Sequence, residues 1–456
     1  MIDSQKLSIL ENPSVDVRFI LRTAQNREIK TNHPIDLVLY DQLLAKEIVN
    51  LKLSLTNLNN EYKLQSIDAQ DMFQESSQES VKRYDYVALG GTFDRLHNGH
   101  KILLSEGILR TKKQLTVGVT DVNMIQSKKL WELIESVEER IQALLNFLVD
   151  VNPDIEYNVL PIQDMYGPTK DDPKIQMLVL SEETVKGGIK VNEKRKENDL
   201  PLLDTYTIQL AKDNQRSLEE EAKISSSNIR MRLLGTILKP PKPNPNIPKW
   251  PYVIGLAGGI ASGKSKIAER LEAKGAGIVN CDIIAHDLYK PGLPLNSTIA
   301  ETFGKNVINS SGEVDRKKLS EIVFSDKNEL DKLNNLLWPA MAEEANRRVR
   351  ALGEAGYKVV VMEAAVMLRA GWDKYCHQLW IVIIPPEEAI KRLQERNGLT
   401  EEAAKERIAS QISNAEQVKK ANIVFSPFWS YEYTQSQVDK AWNNLQEYLK
   451  DRNEDY

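Results

Sequence analysis

The second half of the chain contains a glycine-rich stretch that ends in a lysine and a serine. Residues 258–265 have the sequence Gly-Gly-Ile-Ala-Ser-Gly-Lys-Ser, which fits the pattern G-x-x-x-x-G-K-S. An apolar run, Tyr252–Leu256, precedes this stretch, and a helical pattern, Lys266–Lys274, follows it. This context favours a loop whose backbone N–H groups bind phosphate over the alternative, an accidental glycine-rich turn.

The side chains of this loop predict a site for ATP. The Lys264 ammonium is expected to reach the β- and γ-phosphates, and the Ser265 hydroxyl is expected to bind Mg²⁺. The predicted nucleotide-binding residues of the loop are Gly258, Gly259, Ile260, Ala261, Ser262, Gly263, Lys264 and Ser265.

A carboxylate follows the next predicted strand, Ala276–Val279. Asp282 should lie at the carboxyl edge of a parallel sheet, which is where ligands bind in open α/β folds. It is therefore a candidate to contact the substrate and to accept or orient the proton of an attacking hydroxyl. The alternative is that Asp282 caps the helix predicted at Ile283–Leu288.

Two arginines lie four residues apart on one predicted helix. Arg392 and Arg396 precede the helix break at Asn397-Gly398. Two guanidinium groups on a mobile segment can bind the transferring phosphoryl group and exclude water. The alternative is the solvated basic face of an ordinary helix.

These segments together resemble the dephospho-CoA kinase family. The resemblance rests on residues 255–260, 281–286, 312–319 and 392–399, with Gln411 beyond them, and it extends over about 252–445. It implies transfer of the ATP γ-phosphoryl group to the ribose 3′-hydroxyl of dephospho-CoA. Three positions depart from the family pattern. Glu363, a candidate for the substrate site, replaces the usual Asp; Arg369 replaces a common Glu; and Trp338 replaces a frequent His.

The first half of the chain contains a different candidate site, where two of the five histidines stand at one helix start. His97 and His100 follow a glycine turn between the predicted strand Tyr86–Leu89 and the predicted helix Lys101–Arg110. Their spacing puts both rings on one helix face. Two imidazoles can donate hydrogen bonds to the charge that builds on an α-phosphate as pyrophosphate leaves. The alternative is a pair of histidines that only pack.

This pattern resembles the nucleotidyltransferase superfamily, whose motif is (H/T)-x-G-H. A second family element lies at residues 224–230, and residues 181–188 are similar to the phosphopantetheine adenylyltransferases of eukaryotic and archaeal type. The resemblance implies attack of 4′-phosphopantetheine on the ATP α-phosphate. The ATP-binding residues implied are Gly91, Thr92, Phe93, His97, His100, Ser225, Ser226, Ser227 and Arg230. The substrate-binding residues implied are Thr92, Lys128, Lys186 and Arg195, and Lys129 is an alternative to Lys128.

Strand and helix patterns alternate in both halves, which predicts an α/β protein with two Rossmann-like or P-loop parallel-sheet domains in tandem. The expected domains are residues 84–238 and 251–456, joined by a proline-rich linker at 239–250 that should be stiff and extended. Residues 1–80 are expected to form a small α/β or partly ordered region. Its role stays open between a docking or regulatory module and a sheet packed on the first domain.

Composition limits the classes of partner. A net charge of −5 disfavours a broad nucleic-acid surface, and no apolar run is long enough for a transmembrane segment. Cys281 and Cys376 are too few for a disulfide framework, and the early acidic residues Asp3, Glu11 and Asp16 disfavour a targeting segment. The cytoplasm is the expected compartment, with association to mitochondria left open. Small molecules are the expected partners, namely 4′-phosphopantetheine, dephospho-CoA and ATP; protein partners stay open.

The two sites together are more selective than either alone, because the product of the first reaction is the substrate of the second. The whole chain thus resembles the bifunctional coenzyme A synthase family. One alternative is a cytidylyl- or nicotinate-type transferase fused to a nucleoside monophosphate kinase. A second is a nucleotide-binding scaffold with one inactive site, motivated by Glu363 and Arg369.

Overall fold

The structure is a computed structural model that describes Arg18 and residues 31–41, 55–67 and 81–453. The early acidic residues Asp3, Glu11 and Asp16 lie outside these ranges. The chain forms two compact units, Met1–Met231 and Arg232–Tyr456. Among the described helices, none is both long and apolar enough to cross a membrane.

The amino-terminal residues include a parallel pair of strands, β1 (Ile35–Asp41) and β2 (Leu58–Ile67). Just before β1, the backbone N–H of Asn32 donates to Asp150 Oδ1 at 3.0 Å. The Asn32 side chain donates to the same oxygen at 2.8 Å. These bonds connect the strand pair to the α/β part of the first unit. His33 is exposed, as expected of a surface histidine.

The main sheet of the first unit is parallel, with strand order β5-β4-β3-β6-β7. Its strands and the surrounding helices are β3 (Tyr84–Gly91), α1 (Asn98–Arg110), β4 (Thr111–Thr120), α2 (Val122–Ile125), α3 (Val137–Val151), β5 (Glu156–Ile162), β6 (Met177–Ser181), α4 (Val185–Glu197), β7 (Asp204–Ile208) and α5 (Ser226–Leu233). The core is built from β3 and β4 against α1 and α3, with Val87, Leu104, Leu115 and Leu144 fully buried. Polar residues predominate in the edge strand β7, so no apolar run in the sequence predicts it.

The second unit contains another parallel sheet, with strand order β12-β11-β8-β10-β9. Its elements are β8 (Tyr252–Gly258), α6 (Lys264–Ala273), β9 (Gly277–Asn280), α7 (Cys281–Leu288), α8 (Pro294–Phe303), α9 (Arg316–Ser325), α10 (Lys327–Glu354), β10 (Val359–Glu363), β11 (Gln378–Val382), α11 (Pro386–Asn397), α12 (Glu401–Ala409), α13 (Asn414–Lys420), β12 (Ile423–Phe425) and α14 (Tyr431–Asn453). The predicted α/β class with parallel sheets in tandem is confirmed.

Burial explains why the strands of the second sheet are such plain apolar runs. Every residue of β8, β10 and β11 is buried, because helices cover both faces of a parallel sheet. Both candidate sites lie where this class of fold puts ligands, at the carboxyl ends of strands. In the first unit the site follows β3, and in the second it follows β8, β9 and β10. Residues 239–250 form neither a helix nor a strand.

Candidate active sites

The histidine turn of the first unit connects β3 to α1 through unusual backbone conformations. Phe93 and Arg95 have φ values of 51° and 47°, a region that non-glycine residues seldom adopt. The Phe93 ring is buried in the core. The Arg140 guanidinium donates to the carbonyl oxygen of Thr92 at 2.7 Å and to that of Thr120 at 3.0 Å. This buried arginine therefore holds the turn against β4.

The two histidine rings are stacked. Their centroids are 3.7 Å apart with an interplanar angle of 20°. His97 is the N-cap of α1, and its Nδ1 accepts the backbone N–H of His100 at 3.4 Å. Its Nε2 lies 3.5 Å from Ser226 Oγ, and this hydroxyl donates to the carbonyl of Asp94. Since Nδ1 accepts and the serine proton is used elsewhere, the geometry assigns the ring proton of His97 to Nε2.

Burial keeps both imidazoles neutral. It lowers the pKa of His97 to about 3, and the positive charges of Lys101, Lys223 and Arg230 add to the effect. The pKa of His100 is also lowered, first by burial, and the positive charges of Arg230, Lys101 and Lys128 add to the effect. Among the described residues, nothing bonds to the buried Nδ1 of His100. The pair thus offers neutral ring nitrogens, and one of them is ready for a ligand.

The predicted serine and arginine element lies beside the histidines. The Arg230 guanidinium donates to Asp94 Oδ2 at 2.5 Å and to the carbonyl oxygen of Lys129 at 2.9 Å. Ser225 Oγ accepts the N–H of Asn228 at 3.2 Å, which is an ordinary capping contact at the start of α5. Ser227 Oγ is 3.4 Å from Arg230. Asp94 is fully buried and orients Arg230, although it was not predicted as a site residue.

Lysines extend this cluster of positive charge. Desolvation lowers the pKa of Lys128, and the nearby charges of Arg230 and Arg140 lower it further. This relationship puts Lys128 near the serine and arginine element, where phosphate neutralisation was predicted. The structure also brings Lys101 and Lys223 close to His97, although neither was predicted as a site residue.

The Arg195 side chain is hydrogen-bonded within the fold. This residue is fully buried on α4, and its guanidinium donates to the carbonyl oxygens of Pro201 at 2.7 Å, Thr169 at 2.6 Å and Asp172 at 2.9 Å. These bonds hold loops of the fold, and the substrate contact that the resemblance implies stays a prediction. Lys186, in the first turn of α4, is exposed.

The glycine-rich loop of the second unit connects β8 to α6. A Cβ on Gly258 would lie 2.3 Å from the Val382 carbonyl oxygen, and Gly263 has a φ of 90°. The Lys264 ammonium folds back onto the loop and donates to the carbonyl oxygens of Gly258 at 3.0 Å and Gly259 at 3.1 Å. Burial lowers the pKa of Lys264, an effect that the carboxylates of Asp282 and Glu363 oppose. Ser262 Oγ is buried and, within the described ranges, lacks a hydrogen-bond partner.

A hydroxyl and a carboxylate meet at the start of α6. The Ser265 hydroxyl donates to Glu363 Oε1 at 2.7 Å, and Asn280 Nδ2 donates to Glu363 Oε2 at 3.1 Å. Asn280 is also the N-cap of α7, because its side chain accepts the N–H groups of Asp282 and Ile283. The alternative role of Asp282 as a helix cap is therefore wrong, and its carboxylate is exposed at the sheet edge.

The predicted arginine pair divides into one fixed and one exposed side chain. Arg392 donates to the Ala261 carbonyl oxygen in the loop at 3.3 Å and to that of Pro427 at 2.9 Å. Arg396 is exposed, and its charge contributes to the lowered pKa of Lys264. Gln411, which served above only to extend the resemblance, accepts the Ile260 N–H at 2.7 Å. It fixes the loop from a helix junction 151 residues away in sequence.

Two of the departures from the family pattern meet in space. The guanidinium of Arg369 lies 5.9 Å from the centroid of the Trp338 ring, within the range of a cation–π contact. Arg369 and Trp338 therefore connect the segment after β10 to α10 through this contact.

Two family models match separate parts of the chain. A family model described as dephospho-CoA kinase matches residues 252–427, and one described as cytidylyltransferase-like matches residues 88–232. A dephospho-CoA kinase of Carboxydothermus hydrogenoformans is 36% identical over 186 residues, which is 41% of this chain and 90% of that protein. One of Syntrophus aciditrophicus is 37% identical over 193 residues, covering 42% and 82%. The solved dephospho-CoA kinase of Campylobacter jejuni is 27% identical, with coverages of 43% and 97% and a TM-score of 0.34.

Proposed function

The chain belongs to the dephospho-CoA kinase family through residues 252–427, and from this premise we propose that it makes coenzyme A in two ATP-dependent steps. The first unit transfers an adenylyl group to 4′-phosphopantetheine, and the second phosphorylates the dephospho-CoA that results. The observation that most supports this proposal is that one chain contains two different features. These are a stacked histidine pair and a glycine-rich loop whose lysine donates to the loop's own carbonyl oxygens.

In the first step, the phosphate of 4′-phosphopantetheine attacks the α-phosphorus of ATP. The bond from that phosphorus to the bridging oxygen breaks, and pyrophosphate leaves. No enzyme nucleophile is needed, so the residues position the reactants and stabilise charge. The Nε2–H of His97 and the ring of His100 donate to α-phosphate oxygens, while Arg230 and Lys128 neutralise the departing phosphates.

In the second step, the ribose 3′-hydroxyl of dephospho-CoA attacks the γ-phosphorus of ATP, and ADP leaves. The loop N–H groups bind the phosphates, and Lys264 moves its donors from the loop carbonyls to the β- and γ-phosphates. Asp282 accepts or orients the hydroxyl proton at the sheet edge. Arg392, already in contact with the loop, and Arg396 enclose the transferring group.

The residues around Glu363 fit Mg²⁺. This ion takes one or two carboxylates together with hydroxyl, water and phosphate oxygens, and it does not need a dense cluster of protein ligands. Ser265 and Glu363 would hold it, since their oxygens are 2.7 Å apart at the loop. When bound, Mg²⁺ would neutralise charge on the phosphate oxygens.

The test is to incubate the purified chain with ATP and 4′-phosphopantetheine and to follow pyrophosphate, dephospho-CoA and CoA. We expect pyrophosphate and dephospho-CoA first and CoA afterwards. Parallel reactions with CTP or with nicotinate mononucleotide address the alternative transferase activities. The absence of any CoA-series product, with ATP binding intact, would reject the proposal and favour the scaffold alternative.

A further inference from the structure

Lys223 lies in a rigid part of the first unit, just before the serine and arginine element. It forms an isolated antiparallel bridge with Lys212, and the next residue, Ile224, donates its N–H to the Ala211 carbonyl at 2.9 Å. The fully buried side chain of Asn228 donates to the Lys223 carbonyl oxygen at 3.1 Å. The backbone from which the lysine side chain projects is therefore fixed.

The same segment packs against the histidine turn. The carbonyl oxygen of Ile224 would lie 3.7 Å from a Cβ on Gly99, between the two histidines in sequence. Ser226 Oγ is 3.5 Å from Nε2 of His97. Lys223 thus stands beside the place where the α-phosphate is expected.

The Lys223 ammonium has carboxylate partners, and it is also affected by nearby positive charges. It forms an ion pair with Glu183, and Glu221 Oε2 lies 3.4 Å from it. Glu183 lies in the short 3-10 helix Glu182–Thr184 after β6, in the segment that suggested the phosphopantetheine substrate. The lysine side chain is only 22% exposed.

The like charges belong to residues already placed at the phosphate site. Desolvation lowers the pKa of Lys223, and the charge of Lys128 lowers it further. Lys223 in turn contributes, with Lys101 and Arg230, to the lowered pKa of His97. Binding of a polyanion such as ATP would reduce the electrostatic repulsion within this group of cations.

We propose that Lys223 is a further ATP-binding residue, which exchanges Glu183 for the triphosphate when the nucleotide binds. The inference rests on the proposed adenylyl transfer and assigns one more contact to it. Because Glu183 follows β6 on the substrate side, the exchange also frees a carboxylate there each time ATP enters.

The first experiment compares Lys223→Met with the wild type and with Lys196→Met, an exposed lysine on α4. Pyrophosphate formation is measured over a range of ATP concentrations at saturating 4′-phosphopantetheine. We expect kcat/KM for ATP to fall about ten- to hundredfold in Lys223→Met, in line with the loss of one hydrogen-bonded charge. Lys223→Arg should recover at least about a third of the activity, since it retains the charge. Phosphorylation of dephospho-CoA by the same samples should be unchanged.

A value of kcat/KM for ATP in Lys223→Met within about twofold of the wild type would overturn the proposal. Glu183→Gln removes the competing carboxylate, and its KM for ATP should equal or fall below that of the wild type. A clear rise would contradict the exchange. If the wild type makes no dephospho-CoA, the proposed function fails, and ATP binding to Lys223 is then judged by the labelling below.

The second experiment needs no variant. The wild-type chain is briefly acetylated with and without ATP, and the extent of modification at each lysine is measured by mass spectrometry. A lowered pKa makes the Lys223 amine reactive. We expect ATP to protect Lys223 severalfold and to leave Lys196 unchanged. Equal labelling of Lys223 with and without ATP would overturn the proposal even if Lys223→Met does not fold.

Discussion

The two units are proposed to use different kinds of polar group for the same nucleotide, ATP. In the first unit, side chains from three separate segments form the proposed nucleotide site: the stacked histidines, Arg230 with its partner Asp94, and several lysines. In the second unit, one continuous loop is proposed to bind the phosphates through its backbone N–H groups, and its lysine donates to carbonyl oxygens of the same loop.

This difference matches the bonds that the two units are proposed to break. Transfer at the α-phosphate leaves a pyrophosphate with high charge, and several cations surround that position. Transfer at the γ-phosphate needs the innermost phosphates held firmly while the outermost one moves, and a loop at a helix start does this. Because the two sites are built from different residues, a substitution in one site should leave the reaction of the other unchanged. The following substitutions test this expectation.

The largest effect is expected for Lys264→Met. Without the ammonium the β- and γ-phosphates lose their buried cation, and kcat for phosphorylation of dephospho-CoA should fall about 1000-fold. Adenylyl transfer should persist. Lys266→Met, which changes an exposed lysine two residues away, is the control. Loss of both activities in a folded Lys264→Met protein would contradict independent sites.

His100→Ala should produce the reverse pattern. It removes a donor to the α-phosphate and the stacking partner of His97, and the rate of pyrophosphate formation should fall about 100-fold. The kinase rate should stay within experimental error, as should both rates in His33→Ala, which alters an exposed histidine. A His100→Ala protein with normal adenylyl transfer would remove the histidine pair from the mechanism.

Glu363→Gln is expected to have a smaller effect. The amide keeps the contact with Asn280 or Ser265 but loses the charge that would face Mg²⁺, so kinase activity should fall about 10- to 100-fold and require more Mg²⁺. The measurement is the kinase rate against Mg²⁺ concentration, with Glu354→Gln as a surface control. An unchanged Mg²⁺ requirement would assign Glu363 a purely structural role.

The smallest effect concerns the stability of the first unit against acid. The pKa of His97 is about 3 in the folded unit, whereas an ordinary exposed histidine has a pKa of 6.5. Between these values the unfolded chain binds a proton that the folded unit does not. The associated stability is therefore complete above pH 6.5 and decreases as the pH falls toward 3, by up to about 1.4 kcal/mol per pH unit.

The measurement is hydrogen exchange of α1 in urea at pH 7, 6 and 5, corrected for intrinsic exchange. His97→Asn should show a shallower dependence on pH than the wild type, because it does not titrate there. Identical slopes in the two proteins would mean that the histidine is not buried in solution.

Much of this architecture is predictable from sequence because its strands are plain apolar runs between helical patterns. The glycine loop and the histidine turn are predictable for a related reason, since each is one short segment with a fixed spacing. Contacts between distant segments are different. Asp94 and Arg230 are 136 residues apart, and no local pattern indicates that they pair.

The same limit explains why the bonds of Arg195 were not foreseen and why neither Gln411 nor Lys223 was predicted as a site residue. A charged residue in a family segment suggests a ligand, yet only the fold reveals that the Arg195 donors end on carbonyl oxygens. Conversely, the sequence gives no sign that the Gln411 side chain accepts a hydrogen bond from the glycine-rich loop or that Lys223 pairs with Glu183.

The bonds between Lys264 and two carbonyl oxygens of its own loop mean that the proposed phosphate site is already shaped before ATP binds. Those carbonyl oxygens act as a temporary substitute for phosphate oxygens, so a buried ammonium never waits without ligands. Each new contact with phosphate requires one of these bonds to a carbonyl oxygen to break, which offsets part of the favourable free energy. The smaller net gain should also make the product easier to release.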